Sequence, residues 1–178
     1  MAFVINVVAE CSGVGKTTLV EGIIKELKIR GYSIGTIKHD VHGFDMDKKG
    51  KDTYRHREAG ADTVIISSKN KMAMIKEVKE EMDLDSLISM LNDKDFIIVE
   101  GYKKSNLKKI EVFRRGISKN IITPKERLIC IAADTDIETY EDYLIDINDY
   151  KNIVNVILDK FKRETEKEGY NVYTWNNN

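Results

Sequence analysis

Apolar residues in this chain fall into short unbroken runs, separated by stretches in which they recur every three or four positions. The first run, Phe3 to Ala9, has few polar positions and suits a central parallel strand buried on both faces. Leu19, Ile23, Ile24 and Leu27 then share one side of a helix, with Glu21, Lys25 and Lys28 largely on the other and Gly31 at its end. Ser33 to Lys38 reads as a second strand, returned parallel to the first by a right-handed crossover. His39 to Asp52 has no sustained apolar period and reads as a long loop, of the kind that often carries function in compact domains. Tyr54 to Ala59 reads as a helix stopped by Gly60, and Thr63 to Ser67 as a β-branched strand. For Met72 to Ile75 the pattern leaves helix and strand open.

A short helix is expected around Leu84 to Leu91, ahead of the buried-strand run Phe96 to Val99, which ends in Glu100-Gly101. Ile110 to Phe113 and Leu128 to Ala132 are further strands, with Pro124 in a turn between them. Ile153, Val154, Ile157, Leu158 and Phe161 mark a last amphipathic helix. Alternating strands and helices predict a three-layer α/β fold, P-loop NTPase-like, with a mostly parallel central sheet. At 178 residues the chain fits one domain, expected over residues 1–165, and the tail 166–178 is left without assigned structure.

Composition narrows the classes. Hydrophobic residues make up 42% and charged residues 33%, the balance of a soluble globular protein, and no apolar run approaches the roughly 20 residues of a membrane span. The start lacks a basic leader and runs directly into a glycine-rich segment, so no signal peptide is expected and the cytoplasm is the expected compartment. A net charge of −1 gives no global drive toward nucleic acid or an anionic membrane, and neither is expected as a partner. Cys11 and Cys130 are too few for a disulfide framework or zinc site and read as free thiols.

The segment Ser12-Gly13-Val14-Gly15-Lys16-Thr17-Thr18 stands between the first strand and the first helix. Small residues there let consecutive backbone N–H groups curl around phosphate oxygens, and the positive end of the helix faces the same anion. Lys16 would reach the β- and γ-phosphates and Thr17 would ligate Mg²⁺, so a nucleoside triphosphate is the expected ligand. The pattern ordinarily begins with Gly, and here its first position is Glu10. A carboxylate beside a triphosphate is unfavourable and predicts weak affinity.

In parallel sheets, ligands bind beyond the carboxyl ends of the strands, which singles out three further positions. Asp40, after the second strand, could hold Mg²⁺ through water or orient an attacking water; the alternative is a turn-capping aspartate. Glu100 follows four apolar residues as in a Walker B element and would complete the metal shell opposite Thr17, unless it makes a structural salt bridge. Asp134 could accept two N–H bonds from a guanine edge, although aspartates are also common in turns. His39, His42 and His56 match no closed zinc pattern, and no transition-metal site is expected. The basic clusters Lys48, Lys49 and Lys51, then Lys103, Lys104, Lys108 and Lys109, then Arg114 and Arg115 read mainly as solvated surface, with a minority available to phosphate groups. Hydrolysis should be slow, because spacing assigns no arginine to the phosphates.

Together these segments resemble the molybdopterin-guanine dinucleotide biosynthesis protein B (MobB) family of P-loop proteins. The resemblance rests on Ser12 to Leu19, Ile37-Lys38-His39-Asp40, Gly50-Lys51-Asp52 with Tyr54-Arg55-His56, Ala59-Gly60-Ala61, Val99-Glu100-Gly101-Tyr102-Lys103 and Asp146-Ile147-Asn148-Asp149, in the family's order. It implies a homodimeric GTP-binding adaptor of molybdenum cofactor synthesis, at most a weak GTPase, that assists a partner guanylyltransferase attaching GMP to molybdopterin. Carried onto this chain, Gly13, Val14, Gly15, Lys16, Thr17 and Thr18 would bind the phosphates of GTP. Thr17, Glu100 and Asp40 would hold Mg²⁺, with Asp40 and Glu100 as the catalytic carboxylates, and Asp134 would meet guanine. Lys48 to His56 and Lys103 to Arg115 would face the dimer partner or the molybdopterin-type ligand. Two other classes stay open: a small-molecule P-loop kinase, for which no Arg-rich lid is visible, and a dimeric binding module that works without nucleotide.

Overall fold

The computed structural model describes residues 2–167, so most of the expected tail, from residue 168 onward, lies outside the described residues. In chain order the elements are β1 (Phe3–Val8), α1 (Lys16–Ile29), β2 (Ile34–Lys38), α2 (Asp52–Glu58), β3 (Thr63–Ser68), β4 (Lys71–Lys76) and α3 (Leu84–Ser89). They continue with β5 (Phe96–Glu100), β6 (Lys109–Phe113), β7 (Leu128–Ala133), β8 (Leu144–Asp146) and α4 (Tyr150–Lys167). The chain divides into two compact units, one formed by the residues before Asp40 and after Leu87, the other by Asp40–Leu87.

Six strands of the larger unit form one sheet in the order β2-β5-β1-β6-β7-β8, and each neighbouring pair runs parallel. The apolar runs explain this arrangement: β1, β5 and β7 are buried almost throughout, as strands covered on both faces must be. The short β8 lies at the edge and carries only Leu144, Ile145 and Asp146, too brief a pattern to be recognised in isolation.

On one face, α1 and α4 pack together. Leu19, Ile23 and Leu27 of α1 meet Ile153, Val154 and Ile157 of α4 in a core that also takes Phe96, Ile98 and Cys130 from the sheet. Burying each such aliphatic side chain is worth about 1.5–3 kcal/mol. Gly22 lies close against α4, since a Cβ there would lie 2.4 Å from the Tyr150 ring. Alternation along β7 sends Ile131 and Ala133 to the opposite face, where Ile121, Ile137, Tyr140 and Tyr143 cover them.

Buried polar side chains fix the connections above the sheet. The Glu111 carboxylate, fully buried on β6, accepts the N–H groups of Ile122 and Thr123 at 2.8 Å each. Asn6 on β1 donates from Nδ2 to the Tyr102 carbonyl and the Ser105 hydroxyl, and Lys109 donates to the carbonyls of Ser105 and Leu107. The loop after β5 is therefore held by two neighbouring strands, which pairs the Asn6 amide nitrogen and the Lys109 ammonium, while Asn6 Oδ1 is buried with no partner among the described residues.

In the smaller unit, β3 and β4 pair antiparallel from Thr63↔Lys76 to Ser68↔Lys71. Pairing resolves Met72 to Ile75 as strand, an outcome its own apolar pattern could not supply. The Arg57 side chain of α2 reaches Glu77 at 2.8 Å, tying the helix to the residue after β4. No helix among the described residues is long and apolar enough to cross a membrane.

Candidate functional site

The loop between β1 and α1 is shaped by two left-handed glycines, Gly13 at φ 76° and Gly15 at φ 97°. A side-chain-bearing residue would be strained at either place, and the two bends let the chain enter α1 directly at Lys16. No side chain caps the start of α1 among the described residues, and its first turn holds no acid. The first N–H groups of the helix and its positive end are thus left to an external anion. Lys16 folds back over the loop, its Nζ 3.2 Å from the Cys11 carbonyl. Burial pushes its ammonium below the ordinary lysine range, opposed by the negative charge of Glu100.

Sheet register brings Glu100 to this loop. Val7 of β1 pairs with Glu100 at the end of β5, and the Gly101 N–H continues the ladder to the Val7 carbonyl at 3.1 Å. The Thr17 hydroxyl then lies 3.2 Å from one Glu100 carboxylate oxygen and 3.5 Å from the other. A hydroxyl and a carboxylate are hard oxygen donors of the kind Mg²⁺ prefers. Gly101 is needed beside them: at φ 100°, a Cβ there would come within 3.0 Å of the His39 Cβ. His39 donates its N–H to the Glu100 carbonyl, and its ring stacks on Tyr102 at a centroid distance of 4.4 Å.

Asp40 begins the smaller unit, where its Oδ1 accepts the His42 N–H at 3.0 Å. This is an Asx turn, the local arrangement that short acidic side chains commonly adopt in loops. His42 and His56 lie in the same unit, and no group of three His, Cys, Asp or Glu suited to a metal occurs among the described residues.

Glu10 has partners that its place in the motif gives no hint of. Its carboxylate accepts the Lys119 N–H at 2.6 Å, the Asn120 N–H at 3.1 Å and the Asn120 Nδ2 at 2.8 Å. These bonds, led by the one from Lys119, hold the carboxyl below the usual glutamate range. Glu10 therefore ties the first position of the loop to residues 119–120, while its carbonyl accepts the Lys103 ammonium at 2.7 Å.

Asp134, directly after β7, has both oxygens engaged. Oδ1 accepts the Arg115 N–H at 2.8 Å, and Oδ2 accepts the Arg114 guanidinium at 3.2 Å. The Arg115 N–H is the main influence lowering its pKa, with Arg114 adding to it. A guanine edge would have to compete with both bonds. Arg114 also donates from Nε to the Val14 carbonyl at 3.2 Å, and its Nη2 is 3.5 Å from where a Gly15 Cβ would sit. Sequence reasoning placed Arg114 in a basic cluster read mainly as solvated surface, with a minority available to phosphate groups, and in the segment Lys103 to Arg115 that would face the dimer partner or the molybdopterin-type ligand. The criterion that selected Glu100 and Asp134, a position immediately after a parallel strand, applies equally to Arg114 after β6.

Comparison with known proteins bears on the same segments. The profile of the family MobB, molybdopterin guanine dinucleotide synthesis protein B, matches residues 4–134. The chain is 37% identical to the molybdopterin-guanine dinucleotide biosynthesis adapter protein of Escherichia coli (strain K12) over 164 residues, 88% of this chain and 92% of that one. It is 34% identical to the adapter protein of the same name from Haemophilus influenzae, covering 82% of this chain and 83% of the other. A crystal structure of molybdopterin-guanine biosynthesis protein B is similar with a TM-score of 0.70 at 25% identity, over 90% of this chain and 99% of that one. The chain belongs to the MobB family.

Proposed function

We propose that this protein is a GTP-binding adapter in molybdopterin guanine dinucleotide biosynthesis, with a Mg²⁺-dependent nucleotide site at the loop 10–18. The Thr17–Glu100 pair carries the reading, because it sets a hydroxyl and a carboxylate beside an uncapped helix start and a lysine. Gly13, Val14, Gly15, Lys16, Thr17 and Thr18 supply the phosphate cradle, and Thr17 with Glu100 supplies oxygens for the metal. Mg²⁺ bound there would offset charge on the β- and γ-phosphates. Asp134, whose two oxygens hold Arg114 and Arg115, acts beside the loop through those residues rather than at guanine. Glu10, tied to residues 119–120, takes part in loop architecture rather than in binding the triphosphate.

The partner would be the nucleotidyltransferase that joins GMP to molybdopterin, and the working form a homodimer. An exposed apolar surface on the hairpin supports self-association: cross-strand neighbours Ile65 and Met74 are 60% and 46% exposed, and Met72 is 65% exposed. Isothermal titration with GTP·Mg²⁺ and ATP·Mg²⁺ tests the nucleotide reading. Saturable GTP binding that disappears in Lys16→Ala is expected; absence of binding at millimolar GTP overturns it, and phosphoryl transfer from ATP to a metabolite would indicate a kinase instead.

A further inference from the structure

The loop after β1 has two flanks, because β1 lies between β5 and β6 in the sheet. The β5 flank presents Glu100 to Thr17. The β6 flank presents Arg114, backed by Asp134 from β7. The charges on the two flanks differ in kind: oxygen donors for a cation on one, a guanidinium on the other.

Arg114 is fixed rather than waving in solvent. Nε is bound by the Val14 carbonyl and Nη1 by Asp134 Oδ2, so the guanidinium plane is set by two acceptors from different segments. Asp134 is itself anchored by the Arg115 N–H. A guanidinium has five N–H donors, and three on Arg114 have no acceptor among the described residues. The side chain is 37% exposed and lies against Gly15, the residue that opens α1. An arginine held in this way gives up little rotamer freedom when it takes a further acceptor, and its planar fork suits phosphate oxygens.

Thr17 and Glu100 would hold the metal and the β- and γ-phosphates of a triphosphate on their flank, and the nucleoside-proximal phosphate would then be open to the Arg114 flank. We propose that Arg114 is an anion-binding residue of this site, taking an oxygen of the nucleoside-proximal phosphate, with Asp134 as its positioning residue. The inference rests on the nucleotide reading above. It assigns the basic residue after β6 to the ligand rather than to a protein partner.

The test is titration of the full chain with GTP·Mg²⁺ and GDP·Mg²⁺, joined to ³¹P NMR of the bound nucleotides. Arg114→Ala should weaken both by the same factor, about 10- to 100-fold for loss of a charge-assisted bond. Arg114→Lys should recover only part, because a compact ammonium does not reproduce the planar fork whose separate nitrogens reach Val14 and Asp134. Asp134→Asn should weaken both nucleotides more modestly, and the bound α-phosphate resonance should move in all three variants while the β resonance of GDP stays in place. The thermal midpoint of each ligand-free variant reports whether it is folded. Weakening of GTP alone, an unmoved α resonance, or unchanged affinity in Arg114→Ala would overturn the assignment. If the unmodified protein binds neither nucleotide, the nucleotide reading fails first and this one falls with it; if it binds both, the variants judge Arg114 alone.

Discussion

The Thr17 hydroxyl meets the Glu100 carboxylate across 83 residues of chain, at 3.2 Å, because Val7 and Glu100 are register partners in adjacent parallel strands. One side chain comes from the first turn of a helix and the other from a strand end. Glu100 is held by the sheet, with the Gly101 N–H donated to the Val7 carbonyl and the His39 N–H to the Glu100 carbonyl. Thr17 stands among the first N–H groups of α1, which have no side-chain cap among the described residues.

From this pairing, Glu100→Gln should lose most of the advantage that Mg²⁺ gives to GTP binding. An amide keeps the shape but not the charge, and an order-of-magnitude loss, about 10-fold or more, is expected for removing an anionic metal ligand. Titrations in Mg²⁺ and in EDTA measure the difference. Equal affinities in the two buffers for the unmodified protein would remove the metal from the account.

Glu10→Ala should loosen residues 119–120 while leaving the fold intact. The amides of Lys119 and Asn120 lose their acceptor and should exchange with solvent faster, with hydrogen exchange as the readout. A pH dependence follows from the lowered carboxyl. Its folded-state pKa lies below the unfolded value, so the stabilisation is complete above the unfolded value and is lost as pH falls through the folded one. A carboxyl titration by NMR at or above the ordinary glutamate range would contradict the observed bonds.

Gly22→Ala should destabilise the larger unit despite the better helix propensity of alanine. The added methyl meets the Tyr150 ring at 2.4 Å, and overpacking of this kind costs about 1–3 kcal/mol, against roughly 1 kcal/mol gained from propensity. Urea denaturation measures the balance. An increase in stability would mean that α1 and α4 separate more easily than their packing indicates.

The two thiols should behave differently. Cys130 is 1% exposed on β7, and burial pushes its pKa up to about 12, whereas Cys11 is half-buried in the loop. Thiolate is the reactive form, so a thiol reagent near neutral pH should modify one cysteine in the native protein and the second only after denaturation. Rapid modification of both would show that β7 opens locally.

The glycine loop and the strands and helices flanking it were legible in the sequence because their signals are local. Glycines at positive φ, unbroken apolar runs and a 3.6-residue period each act within a few residues. Glu100 was legible for the same reason, as an acid ending an apolar run. The β3–β4 hairpin was half legible: its second strand became a strand by pairing with the first. What the chain could not disclose by itself was which loops would meet. Glu10 looked like a flaw in a motif until residues 119–120 supplied three donors, and Arg114 looked like surface charge until strand order placed it against Val14, 100 residues earlier. Asp134, expected at a guanine edge, is held by Arg114 and Arg115. Local sequence determined the geometry of the glycine loop and the strand ends; the order β2-β5-β1-β6-β7-β8 decided the neighbours of that loop, because contacts between distant segments depend on sheet order and register and not on any pattern within either segment.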